Sequence, residues 1–262
     1  MKVQDFTLKK QSSERISMVT CYDAWSAKLI AGTDIDCVLV GDSLAMVVYG
    51  FDTTLPVDID TMAAHTAAVR RGAPDKFIIG DMPFLSYRQG QGLAVENAGK
   101  LMQAGANAVK LEGAAGNLDM ITHLVESGIP VMGHLGLTPQ SVHRLGGMHV
   151  QGRDNGAAEQ LKRQATELQQ AGCFALVLEL VPAALAATVT QALDIPTVGI
   201  GAGAATDGQV LVLHDLLGLS ANFKPKFLRT WMDGAVNVHD ALQSFHREVN
   251  EGTYPGKQES YA

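Results

Sequence analysis

Several short motifs place ionisable side chains just where apolar, β-branched runs give out: Gly41-Asp42-Ser43, Gly80-Asp81-Met82-Pro83, Lys110-Leu111-Glu112, His134 and Glu179. Brought together, Asp42, Asp81 and Glu112 would repel one another, by about 4 kcal/mol for two unit charges about 4 Å apart at an effective dielectric of about 20. Such a cluster calls for a cation. An all-oxygen donor set without cysteine or paired histidines suits a hard ion, Mg²⁺ before Zn²⁺. Lys110 offers fixed charge to a substrate carboxylate, and Ser43 a hydroxyl and a main-chain N–H beside it. Glu179, between Leu178 and Leu180, has the apolar company that favours a general base. His134 fits an orienting or hydrogen-bonding role. A cation gripping a 2-oxo acid, with a base facing the adjacent carbon, generates an enolate, so the chemistry is carbon–carbon bond formation α to a carbonyl.

Each residue alone also has a plainer reading. An aspartate after a strand commonly caps a helix. Lys110 and Glu112, two apart on a strand, could form a structural ion pair. A lone histidine such as His134 is commonly a satisfied core or rim residue. The combination outweighs the parts only if one architecture brings them to one place.

The runs that read as strands are Ile16–Cys21, Asp36–Gly41, Lys76–Gly80, Ala108–Leu111, Pro130–Gly133, Phe174–Leu178, Pro196–Ile200 and a weaker one at Val212–Leu219. Helical periodicity lies between them at Ala24–Ala31, Asp60–Arg71, Ala94–Ala104, Leu118–Glu126, Ala157–Ala171 and Ala183–Ala192. Gly72, Gly105, Gly128 and Gly172 stand where C-capping glycines belong. Alternating strand and helix implies parallel pairing, and continuous apolar strands imply a sheet covered on both faces. Eight such units predict one α/β domain over residues 1–262, a (β/α)8 TIM barrel with an extra N-terminal helix or arm over 1–12. An open doubly wound sheet is the alternative. In a barrel, the motifs above all fall on the C-terminal rim. The glycine run Gly199–Gly203 reads as close backbone approach to a ligand or neighbouring loop, with phosphate binding the lesser option.

Composition agrees with a folded, mildly acidic chain. Of 262 residues 47% are apolar and 18% charged, with a formal charge of −7. Disorder is excluded by the apolar content, and no run approaches the roughly 20 apolar residues of a membrane span. The absence of a secretory signal predicts a cytoplasmic protein. Net charge and the lack of a long basic run argue against nucleic-acid binding. Cys21, Cys37 and Cys173 read as buried thiols and not as a disulfide or zinc framework. The charged fraction is below the roughly 25% usual for soluble domains, which points to apolar surface covered in a homo-oligomer.

The motifs are specific enough to name a likeness. Gly41-Asp42-Ser43-Leu44, Thr53–Val57, Asp81-Met82-Pro83-Phe84, Val109-Lys110-Leu111-Glu112-Gly113, Gly133-His134-Leu135-Gly136-Leu137-Thr138-Pro139-Gln140 and Gly199–Gly203 together resemble the 3-methyl-2-oxobutanoate (ketopantoate) hydroxymethyltransferase family from about Ile16 to Gly256. The resemblance implies transfer of a one-carbon unit from 5,10-methylenetetrahydrofolate to 3-methyl-2-oxobutanoate, giving 2-dehydropantoate for pantothenate and coenzyme A. It implies Mg²⁺ on Asp42, Asp81 and Glu112, substrate contacts at Asp42, Ser43, Asp81 and Lys110, and Glu179 as proton acceptor. It also implies large homo-oligomers, commonly decamers. Ala45 departs from the family's usual glycine and adds one methyl near the Asp42 loop. Competing readings are a Mg-dependent 2-oxo acid aldolase or lyase on the same barrel and a non-catalytic oligomeric ligand-binding barrel.

Overall fold

The structure, a computed structural model, describes residues 1–220 and 224–261. A closed barrel of eight parallel strands forms its centre: β1 (Ile16–Thr20), β2 (Cys37–Val40), β3 (Phe77–Asp81), β4 (Ala108–Glu112), β5 (Val131–Gly136), β6 (Ala175–Glu179), β7 (Thr197–Ile200) and β8 (Gly208–Leu211). Helices α1 (Val3–Gln11), α2 (Ala24–Ala31), α3 (Leu44–Val47), α4 (Ile59–Gly72), α5 (Gln91–Gln103) and α6 (Leu118–Glu126) accompany the first half. A 3₁₀ turn (Pro139–Ser141), α7 (Val142–Leu145), α8 (Asn155–Gln170), α9 (Ala183–Ala192), α10 (Leu213–Leu216) and α11 (Gly234–Glu251) follow. The chain divides into two compact units, Met1–Val212 with all eight strands and Leu213–Ala262 with α10 and α11.

Strand alternation determines which side chains enter the barrel. Ile16 and Met18, Cys37 and Leu39, Phe77 and Ile79, Ala108, Met132, Ala175 and Val177, Val198 and Val210 form one buried cluster. Continuing the same period of two along β3 to β6 brings Asp81, Lys110 and Glu112, His134 and Glu179 to the last inward positions. The lower layers are therefore apolar and the top layer is ionisable. The register agrees: Asp81 pairs with Lys110, Glu112 with His134, and Gly136 with Glu179.

The extra N-terminal helix is present as expected, and its Phe6 is fully buried in the same cluster. The Phe6 ring lies edge-on to Phe77 and Phe174, with centroids 5.2 and 4.9 Å away. Such pairs add to ordinary area burial. Residue 6 therefore plugs the end of the barrel opposite the ionisable layer.

Two expectations need correction. The eighth strand is Gly208–Leu211 and not Val212–Leu219, whose first part is α10. The apolar run there spans the end of a strand and the start of a helix, and the strand opens on a glycine, where a Cβ would lie 2.5 Å from the Ile16 carbonyl oxygen. Gly105, Gly128 and Gly172 are left-handed at helix C-termini, but Gly72 is the last residue of α4 itself. Its role is packing, since a Cβ would meet Ala24 O at 2.5 Å and Ala27 Cβ at 2.6 Å. The thiols of Cys21, Cys37 and Cys173 are free and buried. Among the described residues no helix is long and apolar enough to cross a membrane.

Candidate active site

Four consecutive strands, β3 to β6, carry a continuous polar chain around the barrel mouth. Lys110 Nζ lies 2.9 Å from Asp81 Oδ1 and 3.2 Å from His134 Nδ1. The His134 ring spans two carboxylates, with Nδ1 3.5 Å from Glu112 Oε1 and Nε2 3.1 Å from Glu179 Oε2. Asp42, on the loop after β2, joins through its main-chain N–H, which donates to Asp81 Oδ2 at 3.2 Å. Asp42, Asp81, Lys110, Glu112 and His134 are all buried, while the Glu179 side chain is 20% exposed. Ser43 leads into α3, and its Oγ lies 2.8 Å from the Tyr22 hydroxyl.

Burial dominates the electrostatics. It pushes Asp42 up to about 6, reinforced by the Glu112 charge, and Asp81 up to about 7 against the pull of Lys110. Lys110 moves up instead, because Asp81, Glu112 and Asp42 outweigh its desolvation. Burial and Lys110 oppose protonation of His134, yet contacts to Glu112 and Glu179 raise it to about 9.

The plainer readings fail for the aspartates. Helix capping is done elsewhere, by Asp23, Asp58 and Asp154, whose side chains accept from Ser26, Thr61 and Ala157. Asp42 Oδ2 instead accepts from Gln140 Nε2 at 2.9 Å. The surroundings of Glu179 also differ from expectation: its neighbours in sequence are leucines, but its carboxylate faces the His134 ring at 3.1 Å. Strand alternation turns Leu178 away from Glu179's side of the sheet. The glycine run favours loop packing, since a Cβ on Gly203 would lie 2.5 Å from Ala183 Cβ, at the start of α9.

Sequence reasoning assigned no part to Gln140, Tyr87 or Tyr22. Gln140 lies within a quoted motif, but a neutral amide after a proline carries no spacing signal. Tyr87, in the loop after β3, donates to Gln140 Oε1 at 2.8 Å.

Among the described residues no three His, Cys, Asp or Glu groups converge closely enough to hold an ion unaided. Mg²⁺ needs no such cage, because it usually keeps several waters and takes one or two carboxylates. The donors present fit it. Asp42 and Asp81 offer hard oxygens that burial makes costly to ionise, and the buried Asp81 Oδ1 and Glu112 Oε1 face basic side chains, Lys110 at 2.9 Å and His134 at 3.5 Å.

A family model described as ketopantoate hydroxymethyltransferase matches residues 1–257. The chain belongs to that family. A 3-methyl-2-oxobutanoate hydroxymethyltransferase of Bdellovibrio bacteriovorus is 56% identical over 260 residues, 99% of each chain. Relatives of the same description from Coxiella burnetii (56% identical, 97% of this chain and 96% of the relative) and Legionella pneumophila (52%, all of both chains) agree. At this identity the chain is an enzyme of the hydroxymethyltransferase class. Among solved structures, 2,3-dimethylmalate lyase superposes with a TM-score of 0.64 at 15% identity, covering 99% of this chain and 91% of the lyase. A phosphonopyruvate hydrolase complex with oxalate and Mg²⁺ gives 0.65 at 11%, covering 99% and 93%. These two likenesses speak to the fold alone.

Proposed function

We propose that this family member transfers the one-carbon unit of 5,10-methylenetetrahydrofolate to C3 of 3-methyl-2-oxobutanoate, giving 2-dehydropantoate, with Mg²⁺ as its resident ion. The observation that carries the reading is the unbroken chain from Asp42 to Glu179 around one barrel mouth, in a chain of this family. Asp42 and Asp81 would hold the ion, with Glu112 behind them. Mg²⁺, when bound, supplies Lewis acidity toward the substrate's keto oxygen.

The chain's own residues do the rest. Lys110 and Ser43 bind the substrate carboxylate, Lys110 by charge and Ser43 by its hydroxyl. Glu179 takes the proton from C3, and His134 orients the Glu179 carboxylate from 3.1 Å away. The electrons of the broken C–H bond form the new bond from C3 to the folate methylene carbon. Both methylene C–N bonds break and return their electron pairs to the two folate nitrogens, which take up the proton from Glu179 and one proton of the water that supplies the hydroxyl group. The same reading makes the protein cytoplasmic and homo-oligomeric, as a decamer.

Exchange of the C3 proton in D₂O, followed by NMR with Mg²⁺ and without folate, tests the central assignment. Glu179→Gln is expected to abolish exchange while Mg²⁺ binding by calorimetry stays within about twofold, because general-base removal costs about 10²–10⁴-fold. Undiminished exchange in that variant removes Glu179 from the role.

A further inference from the structure

We propose that Gln140 is a positioning residue that presents Asp42 and Glu112 to the cation, a role that rests on the Mg²⁺ reading above. Its side chain is 5% exposed and uses every amide donor. Nε2 donates to Asp42 Oδ2 and to the Met82 carbonyl, both at 2.9 Å. Oε1 accepts from the Tyr87 hydroxyl at 2.8 Å. The two ends of the amide are distinguished by chemistry: an acid oxygen and a carbonyl face one end and a hydroxyl the other, so a flipped amide would lose both bonds that Nε2 now makes.

The main chain of the same residue holds the second carboxylate. Gln140 N–H donates to Glu112 Oε2 at 3.0 Å, while the buried Glu112 Oε1 has only the longer 3.5 Å contact to His134 Nδ1. One residue therefore fixes one oxygen on each of two acids, one from the loop after β2 and one from the end of β4. Gln140 leaves Asp42 Oδ1 and Glu112 Oε1 to other partners, His134 already lying 3.5 Å from the latter. Pro139 starts the 3₁₀ turn that carries Gln140, and its ring fixes φ where the chain crosses the mouth. Outer contacts of this kind orient ligating groups before the ion arrives, and their loss typically costs 10–100-fold in metal affinity, to order of magnitude (roughly).

Mg²⁺ titration calorimetry on the full chain tests the role with two variants, Gln140→Met and Tyr87→Phe. Gln140→Met keeps the volume and removes both donors, and is expected to weaken Mg²⁺ binding by about 10–100-fold. Tyr87→Phe leaves the amide with one anchor fewer, so it should weaken binding by a smaller factor in the same direction. Melting curves without Mg²⁺ run in parallel: a lower Tm with affinity within about twofold of wild type in both variants, the signature of a packing role, overturns the proposal. If Gln140→Met does not fold, Tyr87→Phe decides alone, and unchanged affinity there is equally fatal. Failure of the wild type itself to bind Mg²⁺ would instead overturn the reading of the mouth as a magnesium centre.

Discussion

Asp42 and Asp81 hold their protons up to about 6 and about 7 because burial penalises their charge, whereas an exposed aspartate releases its proton near 3.8. Between those limits the folded chain binds more protons than the unfolded chain, so stability falls as pH rises. His134, held protonated to about 9 instead of 6.5, acts in the same direction. Its stabilisation is complete below 6.5 and lost as pH rises toward 9. Metal-free protein is therefore expected to melt at a lower temperature at pH 8.5 than at 5.5. Added Mg²⁺ should raise Tm more at the higher pH, where it no longer competes with protons. Calorimetric scans at both pH values check this; a Tm that rises with pH in the metal-free protein contradicts it. At this scale the charged members of the site were legible in the sequence, because acids at strand ends have a spacing. Gln140 was not, because its importance lies in three bonds to residues remote in sequence.

Elements set how closely those groups approach. Gly136 ends β5 with φ at +92°, and a Cβ there would lie 2.1 Å from the Glu179 carbonyl oxygen. Leu137 N–H also donates to that oxygen at 2.8 Å. Gly136→Ala should therefore displace the end of β6 together with the Glu179 side chain. The expectation is a loss of at least about 1–3 kcal/mol from the left-handed backbone alone, with slower C3 exchange, read by denaturant titration and NMR. The opposite end of the barrel should behave differently. Phe6→Ala empties the aromatic plug and should cost about 3–5 kcal/mol, with Mg²⁺ affinity unchanged by calorimetry. Seven strands and six helices were legible in the periodicity because their apolar patterns are long. Strand β8 was displaced because Gly208-Gln209-Val210-Leu211 opens on a glycine and a glutamine and so lacks the apolar run of the equally short β2, and α11 was missed altogether.

For the whole molecule, α11 shows where apolar surface goes uncovered in a single chain. Val238, Leu242, Phe245 and Val249 recur at helical spacing and are 50%, 63%, 56% and 47% exposed. A stripe of this kind suits the proposed homo-oligomer. The double variant Leu242→Glu, Phe245→Glu is expected to sediment as a smaller species than wild type. An unchanged sedimentation coefficient would remove α11 from subunit contacts. The low charged fraction hinted at such surface, but composition has no address and could not say which helix bears it.

Closure by pairing of β1 with β8 and seating of Phe6 on Phe174 also set a timetable for synthesis. Helix α1 is made before β6, so the socket of Phe6 stays incomplete until Phe174 and β6 follow Phe77, and β1 has an unpaired edge until Leu211 emerges. Contacts this distant in the chain form slowly, because loop closure comes before any return in buried area. During that interval Phe6 and the open edge of β1 are the surfaces a chaperone would meet first. The plug is thus made well before its socket is complete.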